Sequence, residues 1–436
     1  MRTVEEHRDA VLAAVRAVGR PPPVEVALER ARGLILGADV RSRTDVPPFD
    51  NSAMDGYAVR TNDIAGATAA KPISLRVIAD IPAGSRVEPL VLPGTCARIM
   101  SGAPFPRSAD AVVPVEATDG GTRRVAISAP ARRGDHIRRA AEDVRTYGRV
   151  MTRGRVLAPA DVAAAAATGH GGVIAFPRPR VVVISTGNEL VPPGPVRPMP
   201  RGAIPDSNSF LLAAAVEEAG GEAVRMDIVT DESDRFGLAL EAALADLSVT
   251  AVVTSGGVSV GAFDVVKRYL TSRHRWRAGE SGEAGPAEGL FTSVAMQPGK
   301  PQGFGLVPRG GRQPGVVPLF ALPGNPVSVF VSFELFVRPA IEFLRGREAG
   351  ADERPVVEAR ATASWRAAGS SRQYIPVLAT PTPDGWTVRP ASNRGSSPHL
   401  AATLASANGL GVVEAGVGTV RAGSSLRVIL TRSQSS

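Results

Sequence analysis

A chain of 436 residues, 44% of them hydrophobic, has material for about two to four packed domains and does not have the composition of a disordered protein. Its single cysteine, Cys96, excludes an intrachain disulfide framework and a multi-cysteine metal site, and no apolar run approaches the ~20 residues of a membrane span. The net charge of +8 invites a nucleic-acid partner, but the 13 Phe, 4 Tyr and 3 Trp are not interleaved with basic residues in the way that stacks bases, so the excess of arginine reads as solvated surface.

At the N-terminus, Met1 to His7 lacks the basic-then-apolar pattern of a secretory leader, which predicts a cytoplasmic protein. Residues 3–18 and 24–36 carry helical periodicity. Residues 45–58, dense in turn formers and carboxylates, read as a loop. From about residue 59 to 145, short Val/Ile runs punctuated by Gly and Pro predict a small β module. Cys96 lies within it as a small core residue. Residues 159–168 predict a helix stopped by Gly169.

The pattern changes at Pro179. Apolar strands over 180–185, 223–229, 249–254, near 290–296 and near 316–322 alternate with helices over 206–219, 232–247, 263–271 and from Asn325 or Pro326 to about Leu344. Such alternation predicts a parallel sheet with helices on both faces. In these sheets ligands sit at the carboxyl ends of the strands. All three glycine-centred loops, 185–189, 255–261 and 322–326, fall there. After about residue 348, five short strands predict a β barrel or sandwich of ~80 residues.

The loop after strand 249–254 is the most informative stretch. Gly256 and Gly257 permit a turn that can aim successive N–H groups at one anion, as phosphate-binding nests do, while Ser255 and Ser259 add hydroxyls. Gly324 and Asn325 offer the same at the start of the last helix, where Pro326 suits the first helical position. Carboxylates do not bind phosphate directly, so Glu189, Asp231 and Asp264, each following a strand on this sheet edge, imply a bridging divalent cation. The competing roles are ordinary ones: a strand-to-helix turn at 255–261, plain helix caps at Asp206, Asp231 and Asn325, and a turn at Asp55 with Gly56. Only Lys71, Lys267 and Lys300 are lysine, and Lys300 alone sits in a functional-looking loop. Its compact point charge is one that an arginine fork does not reproduce.

Several stretches together resemble the MoeA family of molybdopterin molybdenumtransferases, which shares its fold with the C-terminal enzyme domain of gephyrin. They are Pro48-Phe49-Asp50-Asn51-Ser52-Ala53-Met54-Asp55-Gly56-Tyr57-Ala58, Arg98-Ile99-Met100-Ser101-Gly102-Ala103-Pro104, Glu142-Asp143, Ser185-Thr186-Gly187-Asn188-Glu189-Leu190, Ser255 to Gly261, Pro298-Gly299-Lys300-Pro301 and Leu322-Pro323-Gly324-Asn325-Pro326-Val327-Ser328. Each motif alone is weak; the ordered set is specific and spans nearly the whole chain.

The resemblance implies an α/β multidomain protein. An elongated N-terminal helical and β domain would cover 1–45 and 146–177, with a β module inserted at 46–145. A parallel α/β molybdopterin-binding domain would follow at 178–347 and a C-terminal β barrel at 348–436. It implies insertion of molybdate into adenylylated molybdopterin with release of AMP, a magnesium requirement, and a homodimer whose cleft joins the sheet domain of one subunit to the β module of the other. The adenylyltransferase of the same pathway is a candidate partner; nucleic acid and membrane are not.

By the same resemblance Thr186, Gly187, Asp206 and Pro323 join the substrate contacts, Glu189, Asp231 and Asp264 the metal site, and Asp55, Ser101, Asp143 and Lys300 the catalytic groups. Three positions depart from the family pattern. Gln297 stands where a lysine is usual, Asn188 where aspartate is more common, and Ala140 where glycine precedes the Glu-Asp pair. Loss of the lysine charge favours an alternative, a catalytically weak paralogue that binds a pterin nucleotide or a partner. A related nucleotide hydrolase is disfavoured, because the stand-alone sheet domain lacks the N-terminal loop and the C-terminal β domain.

Overall fold

The computed structural model describes residues 1–194, 198–257, 265–266, 290–309, 315–348, 354–367, 369–392 and 401–432. The chain divides into two units, Glu25–Ala175 and Met1–Val24 with Phe176–Ser436.

In the larger unit a six-stranded sheet runs in the order Glu222–Arg225, Arg180–Ser185, Val249–Ser255, Val316–Leu322, Pro301–Pro308, Leu290–Ser293. The first four strands are parallel. They are continuous apolar runs because both faces are covered. Val181 and Val183 enter a core with Leu212 and Val216 of helix Asn208–Glu218, with Val329, Phe333 and Ile341 of the last helix, and with Val11 and Val15 of helix Val4–Val18. Val182 and Ile184 point the other way, onto Phe236, Leu240 and Leu244 of helix Ser233–Ala245. Alternate residues of one strand thus serve two helical layers.

The last two strands add an antiparallel edge that the sequence reading did not anticipate. Pro301–Pro308 is interrupted by Gly303 and Gly305, which mask its strand character. Gly303 is required there, since a Cβ would lie 2.7 Å from the Phe291 ring. The last helix holds from Pro326 to Leu344 but passes through a wide π turn at Phe333–Val337. Pro339, lacking an N–H, accounts for the irregularity just ahead of it. Of the helix expected over 263–271, only Val265 and Val266 lie within the described residues, and both are helical.

Helix Val4–Val18 packs in the sheet domain's core, whereas the sequence reading grouped it with 146–177. Thr3 starts it with a capping box: its hydroxyl accepts from the Glu6 N–H while the Glu6 carboxylate accepts from the Thr3 N–H.

The C-terminal strands Val356–Ala361, Arg372–Thr382, Gly385–Pro390, Gly409–Val413 and Ser425–Leu430 close into a five-stranded barrel, because Arg372–Thr382 pairs both Gly385–Pro390 and Gly409–Val413. Closure leaves no bare edge among these five strands.

In the smaller unit, strands Ala111–Pro114, Gly56–Val59, Thr95–Ile99, Ile73–Ile81 and Arg124–Ile127 form one five-stranded sheet in that order. Tyr57 and Val59 face one core, Ala58 and Ala97 the other. A separate core around Leu36, Leu157 and Ala175 is roofed by helix Pro159–Ala167. Residues 24–36, read as helical from sequence, form strand Val24–Ala27, a single turn Leu28–Ala31 and strand Ile35–Leu36. Pairing of both strands with Gly172–Phe176 overrides the local periodicity.

Candidate functional site

In the larger unit the parallel strands deliver three loops to one sheet edge. Strand Arg180–Ser185 leads to Thr186–Glu189, Val249–Ser255 to Gly256 and Gly257, and Val316–Leu322 to Pro323–Asn325. They touch one another. The Thr186 N–H donates to the Ser255 carbonyl at 3.0 Å, and the Gly256 N–H to the Leu322 carbonyl at 3.1 Å. Gly256, at φ +91°, has no room for a side chain, because a Cβ would lie 2.5 Å from the Thr186 carbonyl oxygen. Gly257, at φ +70°, is closed by Val266 in the same way, at 2.6 Å. A Cβ on Gly324 would rest 3.7 Å from the Gly256 Cα, so these two backbones lie side by side.

The Gly256 N–H is therefore engaged within the sheet. What this glycine contributes is close approach rather than the free donor expected of it. The N–H groups of Gly257, Gly324 and Asn325 carry no hydrogen bond among the described residues, and the latter two stand at the N-terminus of the last helix. Asn325 begins that helix without capping it by its side chain, which is exposed. These donors, with the helix end, form a setting for an anion.

Asn208, which the sequence reading did not select, ties the loops together. Its Nδ2 donates to Ser255 Oγ at 2.8 Å and to the Gly324 carbonyl at 2.6 Å. Its Oδ1 and the Thr186 Oγ1 are buried and have no hydrogen-bond partner among the described residues. The only sequence signal for it was an amide in the first turn of a helix that starts at this sheet edge. Asp206, 3% exposed, accepts from Ser185 Oγ and from the Ser209 N–H, both at 3.1 Å. It holds a strand end to a helix start, so it positions the loops through internal bonds.

Asp231 is not the cap of helix Ser233–Ala245. Its Oδ2 accepts from the Asn188 N–H at 3.2 Å, while its own N–H donates to Asn188 Oδ1 at 3.0 Å. Asn188 is suited to this reciprocal pair because an amide oxygen accepts without adding charge. Glu189, next in sequence, is exposed, and its carboxylate folds back over Gly187, where a Cβ would meet Oε2 at 2.6 Å. Neither carboxylate is ion-paired among the described residues. Two such carboxylates beside one loop suit a hard, oxygen-seeking cation. Asp264 and Ser259 lie outside the described residues, and no three His, Cys, Asp or Glu side chains converge among those described.

Lys300 is exposed and precedes strand Pro301–Pro308, whose register sets Gly303 opposite Ala321. The strand thus begins beside the carboxyl end of Val316–Leu322, which brings Lys300 to the same sheet edge. Its loop is fixed by Gln302, whose Nε2 donates to the Gly299 carbonyl and to Ser332 Oγ, both at 2.7 Å. Gln297 is exposed and pairs in parallel with Gln373 of the barrel.

In the smaller unit, the Asp55 Oδ1 accepts from the Ser101 N–H at 2.6 Å, and Ser101 Oγ donates to the Ala53 carbonyl at 3.3 Å. Asp55 and Ser101 are therefore neighbours, both exposed. Gly56 is demanded by the sheet, since a Cβ would lie 2.1 Å from the Val113 oxygen. Asp50 anchors the next loop: it accepts from Arg139 Nη1 at 2.6 Å and from the Ala140 N–H at 2.8 Å. The Ala140 N–H, followed by Arg139, pulls the Asp50 carboxyl below its usual range. Asp143 lies on that loop, exposed, and among the described residues no hydrogen bond joins its side chain to the Asp55–Ser101 pair.

The chain is similar to known proteins over nearly its whole length. Residues 2–169 match the MoeA N-terminal region (domain I and II), residues 182–342 a probable molybdopterin binding domain, and residues 358–431 the MoeA C-terminal region (domain IV). The chain is 43% identical over 429 residues to molybdopterin molybdenumtransferase 2 of Mycobacterium tuberculosis, covering 98% of this chain and 99% of that one. It is 32% identical to a molybdopterin molybdenumtransferase of Staphylococcus aureus over 98% of this chain and 95% of the other. The solved molybdopterin biosynthesis MoeA protein from Pyrococcus horikosii superposes with a TM-score of 0.75 at 29% identity, covering 99% of each chain.

Proposed function

The chain belongs to the MoeA family, and from that membership we propose that it is a molybdopterin molybdenumtransferase. It takes adenylylated molybdopterin and molybdate as substrates, cleaves the phosphoanhydride, releases AMP and leaves molybdenum on the dithiolene sulfurs. The observation that carries this reading is the convergence of the three loops at one sheet edge, with N–H donors and a buried hydroxyl that have no partner among the described residues. The names of the relatives favour the transferase over a binding module without turnover.

Each part of the substrate has a matching group in this reading. The N–H groups of Gly257, Gly324 and Asn325 receive phosphate oxygens, and Thr186 Oγ1 supplies a further hydroxyl. Ser255 is held in place by Asn208. Lys300 offers a point charge to molybdate or to the phosphate oxygens. Asp55, Ser101 and Asp143 act from the partner subunit of a homodimer, Asp55 orienting water or a proton and the Ser101 hydroxyl donating to an oxyanion.

Glu189, Asp231 and Asp264 are the residues that would hold magnesium. When bound, the ion would neutralise charge on the phosphoanhydride. We place the protein in the cytoplasm, with the pathway's adenylyltransferase as the source of its substrate; among the described residues no helix is long and apolar enough to cross a membrane.

The test is to incubate the protein with adenylylated molybdopterin and molybdate, with and without magnesium, and follow AMP and protein-free molybdenum. Molybdate consumption matched to AMP, and dependent on magnesium, supports the reading. AMP formed at the no-enzyme rate under both conditions rejects it.

A further inference from the structure

Apart from the three loops, the larger unit contains a cavity of about 690 Å³ between helix Val4–Val18, the wide turn Phe333–Val337 and the barrel strands Val356–Ala361 and Ser425–Leu430. No residue of the three loops lines it. Its volume is that of a small-molecule site. Among the described residues, five arginines, Arg8, Arg16, Arg338, Arg354 and Arg427, face three carboxylates, Glu5, Asp9 and Glu334, so the described wall carries an excess of positive charge.

The carboxylates are already engaged. Glu334 accepts from Arg338 Nε at 3.0 Å and from Arg354 Nε and Nη2 at 2.9 and 3.1 Å. Glu5 pairs with Arg372 of the barrel. Asp9 lies 3.9 Å from Arg8. Arg16 and Arg427, both exposed, have no ion pair among the described residues. Arg338 is 5% exposed, and its buried Nη2 has no hydrogen-bond acceptor among the described residues. Glu218, 3.5 Å from it, does not complete a hydrogen bond and is held by Arg354 at 2.8 Å.

We propose that this cavity binds a small polyanion, bearing phosphate or carboxylate groups, between exposed Arg16 and Arg427. Guanidinium forks match the paired oxygens of either group. The site is separate from the one that holds the pterin nucleotide, and the proposal does not depend on that reading.

Titration calorimetry of the full chain at low salt, with inorganic pyrophosphate and with citrate as probes, tests it. Saturable binding is expected, with one site about tenfold or more weaker in Arg16→Ala/Arg427→Ala. Binding of pyrophosphate alone identifies a phosphate ligand, and citrate alone a carboxylate ligand. No saturable binding of either, or unchanged binding in the double variant, would overturn it. Hydrogen exchange on the unmodified chain gives a second readout that no folding defect can obscure. Protection by the bound probe within residues 8–16 and 425–430 supports the site, and protection confined to 322–326 refutes it.

Discussion

The Asn208 side chain donates to Ser255 Oγ at 2.8 Å, joining the start of a helix to the end of a strand 47 residues further along the chain. The same nitrogen reaches the Gly324 carbonyl, so one amide sets the spacing of two ligand loops. Asn208→Ala removes both bonds inside a buried site and leaves the Gly324 oxygen short of a donor. It should cost about 2–3 kcal/mol of stability, read by denaturant melts, and slow AMP release about tenfold or more. A variant with unchanged rate and stability would show that the amide is incidental.

Gly256 and Gly324 sit side by side but should respond differently. Gly256 has φ +91° and a carbonyl 2.5 Å from where a Cβ would be, so Gly256→Ala should cost about 2–4 kcal/mol. Gly324 has ordinary φ and its nearest neighbour is at 3.7 Å, so Gly324→Ala should cost about 1 kcal/mol or less. Melting curves of the two variants check the order.

The continuous apolar strands and the glycine punctuation made the sheet, its loops and the barrel legible in the sequence. Local periodicity misled at residues 24–36, where a partner strand outweighs it, and missed Pro301–Pro308, where glycine is present because Phe291 packs over the backbone. Glycines marked the loops of the sheet edge in the sequence, and Glu189 and Asp231 lie in or beside those loops. Asn208 was not, because its role depends on two loops that reach it from 47 and 116 residues away. For Asp231, the structure replaces a local cap with a distant exchange with Asn188.

Asp55 accepts from a backbone N–H of Ser101 rather than from its hydroxyl. Ser101→Ala therefore keeps that bond and isolates the hydroxyl, whereas Asp55→Ala loses the bond and the carboxylate. AMP release should fall about tenfold or more in Asp55→Ala and less in Ser101→Ala, with little change in melting temperature for these exposed residues. The reverse order would assign the chemistry to the serine.

His7, 2% exposed against Phe336 with ring centroids 4.8 Å apart, is pushed down to about 4 by burial and, secondarily, by Arg2. Between pH 6.5 and about 4 the unfolded chain binds a proton that the folded chain does not. Stability from the neutral ring is thus fully present above pH 6.5 and is lost as pH falls through that window, by up to about 3 kcal/mol. The difference between the unmodified chain and His7→Leu, measured by urea melts from pH 7 to 4, should show that slope. Parallel curves would contradict it.

Lys300 brings the clearest decision, because it stands at the same sheet edge as the three loops and its ammonium makes no ion pair among the described residues, while its carbonyl accepts from the Val294 N–H at 2.8 Å. Single-turnover release of AMP from adenylylated molybdopterin, with molybdate and magnesium present, should proceed to completion with the unmodified chain and at least about tenfold more slowly with Lys300→Ala. Equal rates for the two chains, or no release above the uncatalysed rate by either, would contradict the account.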